Sequence, residues 1–302
     1  IRYIDPENNE RMADEKKIKA WLPVKMYVGG AEHTVLHLLY SRFFTKFLYD
    51  QELVNFREPF LALRHQGIIL GPDGQKMSKS RGNVADPDDL VEKFGADSVR
   101  MHLCFMGEYQ HGGPWNPTGI LGVHRFLGRV WKLINNPQQI NGREQQDGNK
   151  LEKLLHQTIK KVGEDIEAFK FNTAVSALMI LLNETEKQQN FHMPAFWPPF
   201  LKLLAPFAPH ITEELWQKLG NETSIHLEKW PEYDQKSVIE EKFELLIQIN
   251  GKLRDKVLVS SKIIQEEAEK LVLDREKVTE HLNKNKPKKI IFVPGRLINI
   301  VI

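Results

Sequence analysis

Two hydrophobic rhythms divide the chain. In the first hundred residues, short apolar runs that end in glycine alternate with stretches of helical spacing. Lys25-Met26-Tyr27-Val28 reads as a strand closed by Gly29-Gly30. Val35, Leu38, Leu39, Phe43 and Phe47 recur three and four apart, which predicts one helix over residues 32–49. A further helix-to-strand passage is expected over 60–70. Asp86-Pro87-Asp88-Asp89 opens a helix, with an Asp cap, Pro in the first turn and acids at the positive end. That helix runs to Lys93 and stops at Gly95, and 97–105 is expected to form another. Strand, glycine turn and helix in succession place backbone N–H groups and a helix N-terminus beside a nucleotide.

The rhythm then becomes wholly helical. Residues 107–118 are rich in Gly, Pro and polar residues and read as a connector. Helices are expected over 120–134, 151–169, 172–186 with Asn172 as the cap, 195–204, and 210–219 closed by Gly220. Their Phe, Leu and Trp stripes suit the core of a bundle. Residues 223–235 read as a linker. The final segment reads as a hairpin about Asn250-Gly251, a type I′ turn signal, then a helix over 263–283 and a second strand pair about Pro294-Gly295. The expected fold class is therefore multidomain: α/β over 1–106, an all-α bundle over 107–222, a linker over 223–242, and a small ββαββ α+β domain over 243–302.

Composition adds bounds. The chain has 302 residues, 41% hydrophobic and 27% charged, ordinary for a globular protein of two or three domains. One cysteine, Cys104, lies in the apolar run Leu103-Cys104-Phe105-Met106; it excludes an internal disulfide and reads as a buried, inert thiol, in keeping with a cytoplasmic location. No apolar run reaches the ~18 residues of a membrane helix, so no membrane partner is expected. Opening on Ile1 rather than Met, the sequence reads as a fragment or partial reading frame. The net charge of +2 is uninformative, but residues 243–302 hold 12 basic side chains against 8 acidic ones. A basic tail on a near-neutral body suits contact with phosphates, or a solvated lysine-rich face.

The densest chemistry lies at Lys76-Met77-Ser78-Lys79-Ser80, which follows an apolar run and a Gly71-Pro72-Asp73-Gly74 turn. Two ammonium groups and two hydroxyls on a short loop suit a triphosphate whose charge shifts during reaction.

This segment resembles the KMSKS loop of class I aminoacyl-tRNA synthetases. Tyr27 to His33, His37 to Phe43, Gln66 to Gly71, Lys76 to Asn83, Phe94 to Arg100, Ala208 to Trp216 and Gln248 to Lys256 resemble the bacterial and organellar leucyl-tRNA synthetases. The resemblance implies a leucine–tRNA ligase: leucine is activated with ATP and Mg2+, both as substrate, and then passed to tRNA-Leu by an enzyme that is monomeric when complete. It implies the C-terminal half of a Rossmann-like catalytic domain, an anticodon-binding-like bundle and a tRNA-binding tail. Lys79 and Lys76 are the implied catalytic cations. Met77, Ser78, Ser80, Gly29, Gly30 and Glu32 complete the ATP site, with Glu32 on the ribose hydroxyls. Tyr27, His33 and His37 form the leucine pocket, and the spacing of the two histidines puts both on one helix face. No metal site is expected, since two histidines without further ligands are too few for zinc. The tRNA contacts implied are Arg125, Arg129 and Lys132 on the bundle and Lys284, Lys286, Lys288, Lys289 and Arg296 in the tail.

The sequence departs from the family in lacking the His-x-Gly-His motif, the first half of the nucleotide fold and the editing insertion. Arg81 stands where lysine is commoner. A missing N-terminal half, in the same or a separate chain, is the expected partner, and the isolated fragment is expected to be inactive. The alternatives are a non-catalytic tRNA-binding subunit of a split synthetase and a valine or isoleucine enzyme.

Overall fold

The structure, a computed structural model, describes residues 1–136, 148–188, 194–238, 242–260, 263–282 and 287–302. The chain forms two compact units, Ile1–Glu232 and Tyr233–Ile302.

The first unit opens with helix α1 (Glu15–Trp21), whose N-cap Asp14 accepts from the N–H groups of Lys16 and Lys17. Strand β1 (Tyr27–Gly29) leads through a 3-10 turn at Ala31–Thr34 into α2 (His37–Asp50). The single helix expected over 32–49 is therefore two pieces. Leu36, at φ −113° and ψ −98°, interrupts the helical path between them. The passage over 60–70 holds no helix; it is two strands, β2 (Leu63–His65) and β3 (Ile68–Leu70). Helices α3 (Pro87–Phe94) and α4 (Ala96–Phe105) follow as the caps and glycine predict, with Asp86 accepting from Asp88 N–H and Gly95 at φ +81°.

The connector contains a strand, β4 (Gly112–Pro114). It pairs in parallel with β3, and β1 pairs in parallel with β2. Gly112 sits at φ +65°, and a Cβ there would overlap the Ile68 carbonyl. Backbone can meet backbone at this point only without a side chain. A Gly-Gly-Pro sequence carries no strand propensity, so the pairing is a tertiary effect.

Helices α5 (Ile120–Asn135), α6 (Gly148–Glu167), α7 (Phe171–Lys187), α8 (Trp197–Leu204) and α9 (Pro209–Lys218) form the bundle. Phe126, Leu178, Leu181, Phe200 and Leu204 are among its fully buried side chains. Each such side chain contributes roughly 1.5–3 kcal/mol by leaving water. Asn172 is not the cap of α7. Lys170 holds that position, and Asn172 lies inside the first turn. The α6–α7 turn is closed instead by Asp165, which accepts from Thr173 Oγ1 at 2.7 Å. The expected linker is also ordered near its start: a 3-10 turn at Ile225–Leu227 buries Ile225, and Glu213 of α9 accepts from Ser224 Oγ and Ile225 N–H.

The second unit has a short helix α10 (Gln235–Val238) and strands β5 (Lys242–Ile249) and β6 (Lys252–Ser260) joined at Asn250-Gly251. Their φ values of +49° and +77° are those of a type I′ turn. The helix expected over 263–283 is broken into α11 (Gln265–Leu273) and α12 (Glu276–Leu282). Arg275, at the break, donates to the buried carboxylate of Asp255 at 2.6 Å and ties this point to β6. Strands β7 (Lys289–Val293) and β8 (Leu297–Val301) complete a sheet in the order β6-β5-β8-β7. Leu245, Ile247, Ile298 and Ile300 bury one face of it against Ala268, Val272 and Val278 of the helices.

Candidate active site

Two features lie beyond the carboxyl ends of parallel strands, where α/β folds bind ligands. Strand β1 ends at Gly29-Gly30, and an aromatic cluster gathers around its first residue, Tyr27. The Tyr27 ring lies 5.4 Å from His37 and 4.9 Å from Phe60 between centroids, and His37 lies 6.2 Å from Phe60. His33 meets His37 edge-on at 6.5 Å. The three residues assigned to the leucine pocket are thus neighbours, but the reason is not a shared helix face. His33 belongs to the 3-10 turn and His37 begins α2, so the interruption at Leu36 sets their angle. Phe60, absent from the sequence-based set, is the fourth wall. It enters through a bridge with Val24, a pairing that no local pattern announces.

Both glycines lie under side chains. A Cβ on Gly29 would come within 2.7 Å of the Tyr27 ring, and one on Gly30 would press on the carboxylate of Glu32. Glu32 is exposed and folds back over Gly30, so its carboxylate is available to hydroxyl donors beside a bare backbone. His65 Nδ1 lies 3.2 Å from the Gly29 carbonyl and ties β1 to β2.

Beyond β3, the chain turns at Gly71, whose N–H donates to Gln75 carbonyl at 2.7 Å, and returns through a bridge between Leu70 and Lys76. Lys79–Arg81 is a 3-10 turn closed by Gly82 at φ +66°. Ser78 and Ser80 hydroxyls share a hydrogen bond of 2.8 Å. Lys76 and Lys79 are exposed, while Met77 is half-buried. The loop is pinned by Asn83, which donates to both oxygens of Asp73 and accepts from Ser78 N–H. Gln75 N–H and the Asn83 amide hold the Asp73 carboxyl below its ordinary value of 3.8. The Asp-to-Asn spacing around the loop was present in the sequence, but only the turn brings the two together.

Chemically, the arrangement offers exposed cations on an ordered loop, a carboxylate over glycine, and an aromatic-imidazole wall. The same order of parts is found in known proteins. Residues 7–112 match the tRNA synthetases class I (I, L, M and V), and residues 149–269 match the anticodon-binding domain of tRNA ligase. The fold matches the Agrobacterium radiobacter K84 agnB2 LeuRS, solved as a ternary complex with tRNA and LeuAMS. The match has a TM-score of 0.81 and 34% identity, over 99% of this chain and 41% of that one.

The chain belongs to the class I aminoacyl-tRNA synthetases.

It spans 41% of the length of that LeuRS. The Mycobacterium tuberculosis methionyl-tRNA synthetase bound by methionyl-adenylate matches with a TM-score of 0.50 and 18% identity, over 69% of this chain and 46% of that one, a likeness of fold alone. The bundle carries the basic stripe on α5, but its three members differ. Arg125 and Lys132 are exposed, whereas Arg129 is bound to Glu186 at 2.6 Å and Asn183 at 2.9 Å and so is engaged within the bundle. In the second unit, Lys288 and Lys289 lie at the start of β7, and Arg296 lies in the turn at its far end. These are separated by about 13 Å of strand. Lys284 and Lys286 lie outside the described residues. No group of three metal-binding side chains occurs among the described residues, and none of the described helices is long and apolar enough to cross a membrane.

Proposed function

We propose that the chain forms the KMSKS portion of the active site, and the tRNA-binding portions, of a leucine–tRNA ligase. The observation that carries the leucine reading is the cluster of Tyr27, His33, His37 and Phe60 around the first residue of β1. Ring edges and imidazoles give a branched aliphatic side chain a close apolar wall, and the 34% identity to a LeuRS supports that choice. One methylene changes binding by only ~1–3 kcal/mol, so this wall separates leucine from the smaller valine by a modest factor, and its shape rather than its area must separate leucine from the isomeric isoleucine.

In the first step, a leucine carboxylate oxygen forms a bond to the α-phosphorus of ATP. The bond from that phosphorus to the bridging oxygen breaks and pyrophosphate leaves. Lys79 and Lys76 offset the charge that moves onto the leaving phosphates, and Glu32 accepts from the ribose hydroxyls to hold the nucleotide in line. In the second step, a ribose hydroxyl of tRNA-Leu attacks the leucyl carbonyl and AMP leaves. Mg2+ accompanies ATP as part of the substrate. Arg125, Lys132, Lys288, Lys289 and Arg296 meet tRNA phosphates.

The test is leucine-dependent ATP–pyrophosphate exchange by the chain alone and with the N-terminal half of a leucyl-tRNA synthetase supplied, with valine and isoleucine as controls. Exchange only in the mixture, favouring leucine and falling at least a hundredfold in Lys79→Ala, is the expected result. Exchange that favours valine or isoleucine would replace the substrate assignment. tRNA binding without exchange in either arrangement would leave a binding subunit.

A further inference from the structure

The KMSKS loop carries three cations, Lys76, Lys79 and Arg81, within six residues. Like charges so close repel, so an ordered loop needs a hydrogen-bonded frame to hold its backbone. Asn83 is the centre of that frame. Its side-chain oxygen accepts from Ser78 N–H at 2.8 Å, and its amide donates to both oxygens of Asp73 at 3.0 Å each and leans on the Lys76 carbonyl at 3.4 Å. Asp73 also accepts from Gln75 N–H at 3.1 Å. One amide thus joins the turn before the lysines, the backbone between them and the residue after them. Gly71 lets the parts close up: a Cβ there would come within 2.7 Å of Asp73 Oδ1 and 3.0 Å of the Asn83 carbonyl.

We propose that Asp73 and Asn83 are positioning residues that set the loop in its triphosphate-binding shape before the nucleotide arrives. Neither touches the reacting atoms. They act through Lys76 and Lys79, removing from the reaction the cost of ordering a self-repelling loop. The effect on catalysis rests on the adenylate-forming reading above; the order of the loop is a property of this chain by itself.

The first readout is amide hydrogen exchange across residues 76–83 of the chain, corrected for the intrinsic pH dependence and with α5 amides as the folding control. Asn83→Ala is expected to speed exchange there about tenfold and leave α5 unchanged. Asn83→Asp sets two carboxylates about 3 Å apart, which cannot both ionise without cost. Protection should be lost at pH 7.5 and return near pH 5, where the pair shares a proton. The exchanged pair Asp73→Asn with Asn83→Asp restores one donor facing one carboxylate, and protection should return at pH 7.5.

The second readout is the leucine-dependent exchange assay with the N-terminal half supplied. Asn83→Ala should lower kcat about tenfold with KM for leucine unchanged, and the exchanged pair should recover it. Unaltered amide exchange in Asn83→Ala, or full kcat despite lost protection, overturns the proposal. If the wild-type mixture shows no leucine-dependent exchange, the ligase reading fails, and the amide exchange of the variants decides the frame without it.

Discussion

Asp97 of α4 caps a helix that begins 112 positions later: its carboxylate accepts from the N–H of Ile211 at 2.7 Å and from Nδ1 of His210 at 2.8 Å. The carboxylate is buried and the imidazole is exposed. A negative side chain supplied from another element answers two needs at the start of α9, an unpaired N–H and the positive end of the helix dipole. His210 is therefore structural, as its place after Pro209 implies.

Removing the cap should weaken the first unit as a whole. Asp97→Ala is expected to lower stability by about 1–2 kcal/mol, because it removes the cap from part-buried N–H groups at the start of α9. His210→Ala should cost less than half as much, since water replaces its exposed bond. Urea unfolding checks both, and equal losses for the two would show that the contact between the His210 ring and Asp97, rather than the cap, carries the effect.

His102 makes the fold sensitive to acid. It is buried against Trp115, 5.0 Å between ring centroids, and neither ring nitrogen has a hydrogen-bond partner among the described residues. Burial pushes its pKa below the ordinary 6.5. The folded state therefore holds the ring neutral, while the unfolded state takes up a proton as pH falls past 6.5. Stability is full above that value and declines below it, by at most about 1.4 kcal/mol per pH unit. His102→Phe should remove this component. Thermal unfolding of the two proteins between pH 7.5 and 5.5 checks it, and parallel pH profiles would refute it.

The tail should bind tRNA at two separate points. Lys288 with Lys289 and Arg296 lie at opposite ends of β7. Lys288→Ala with Lys289→Ala and Arg296→Ala should each weaken tRNA binding, and their effects should add. Each lost phosphate contact should reduce the slope of log K against log salt by about 0.7–0.9. Filter binding over a salt series measures this, and unchanged slopes would assign these side chains to sheet solubility instead.

Local chemistry was legible wherever one short segment decided its own conformation. Asn250-Gly251 specified the hairpin turn, Asp86-Pro87 the start of α3, and the three-and-four spacing of Val123, Phe126, Leu127 and Val130 the buried face of α5. The same holds for the KMSKS loop, whose residues announce cations on a turn. Asn172 shows the limit of such signals: a good capping residue was passed over because Asp165 and Thr173 had already closed the turn around it.

What the sequence determined by itself is the set of local elements and the class of chemistry, because turn geometry, capping and amphipathic period act within a few residues. The tertiary structure decided which of those residues meet. Phe60 reached the Tyr27 pocket, Gly112 found Ile68, and Asp97 found α9 only because distant backbone closed around them. Such contacts depend on packing between elements and leave no period or spacing in the chain that could be read beforehand.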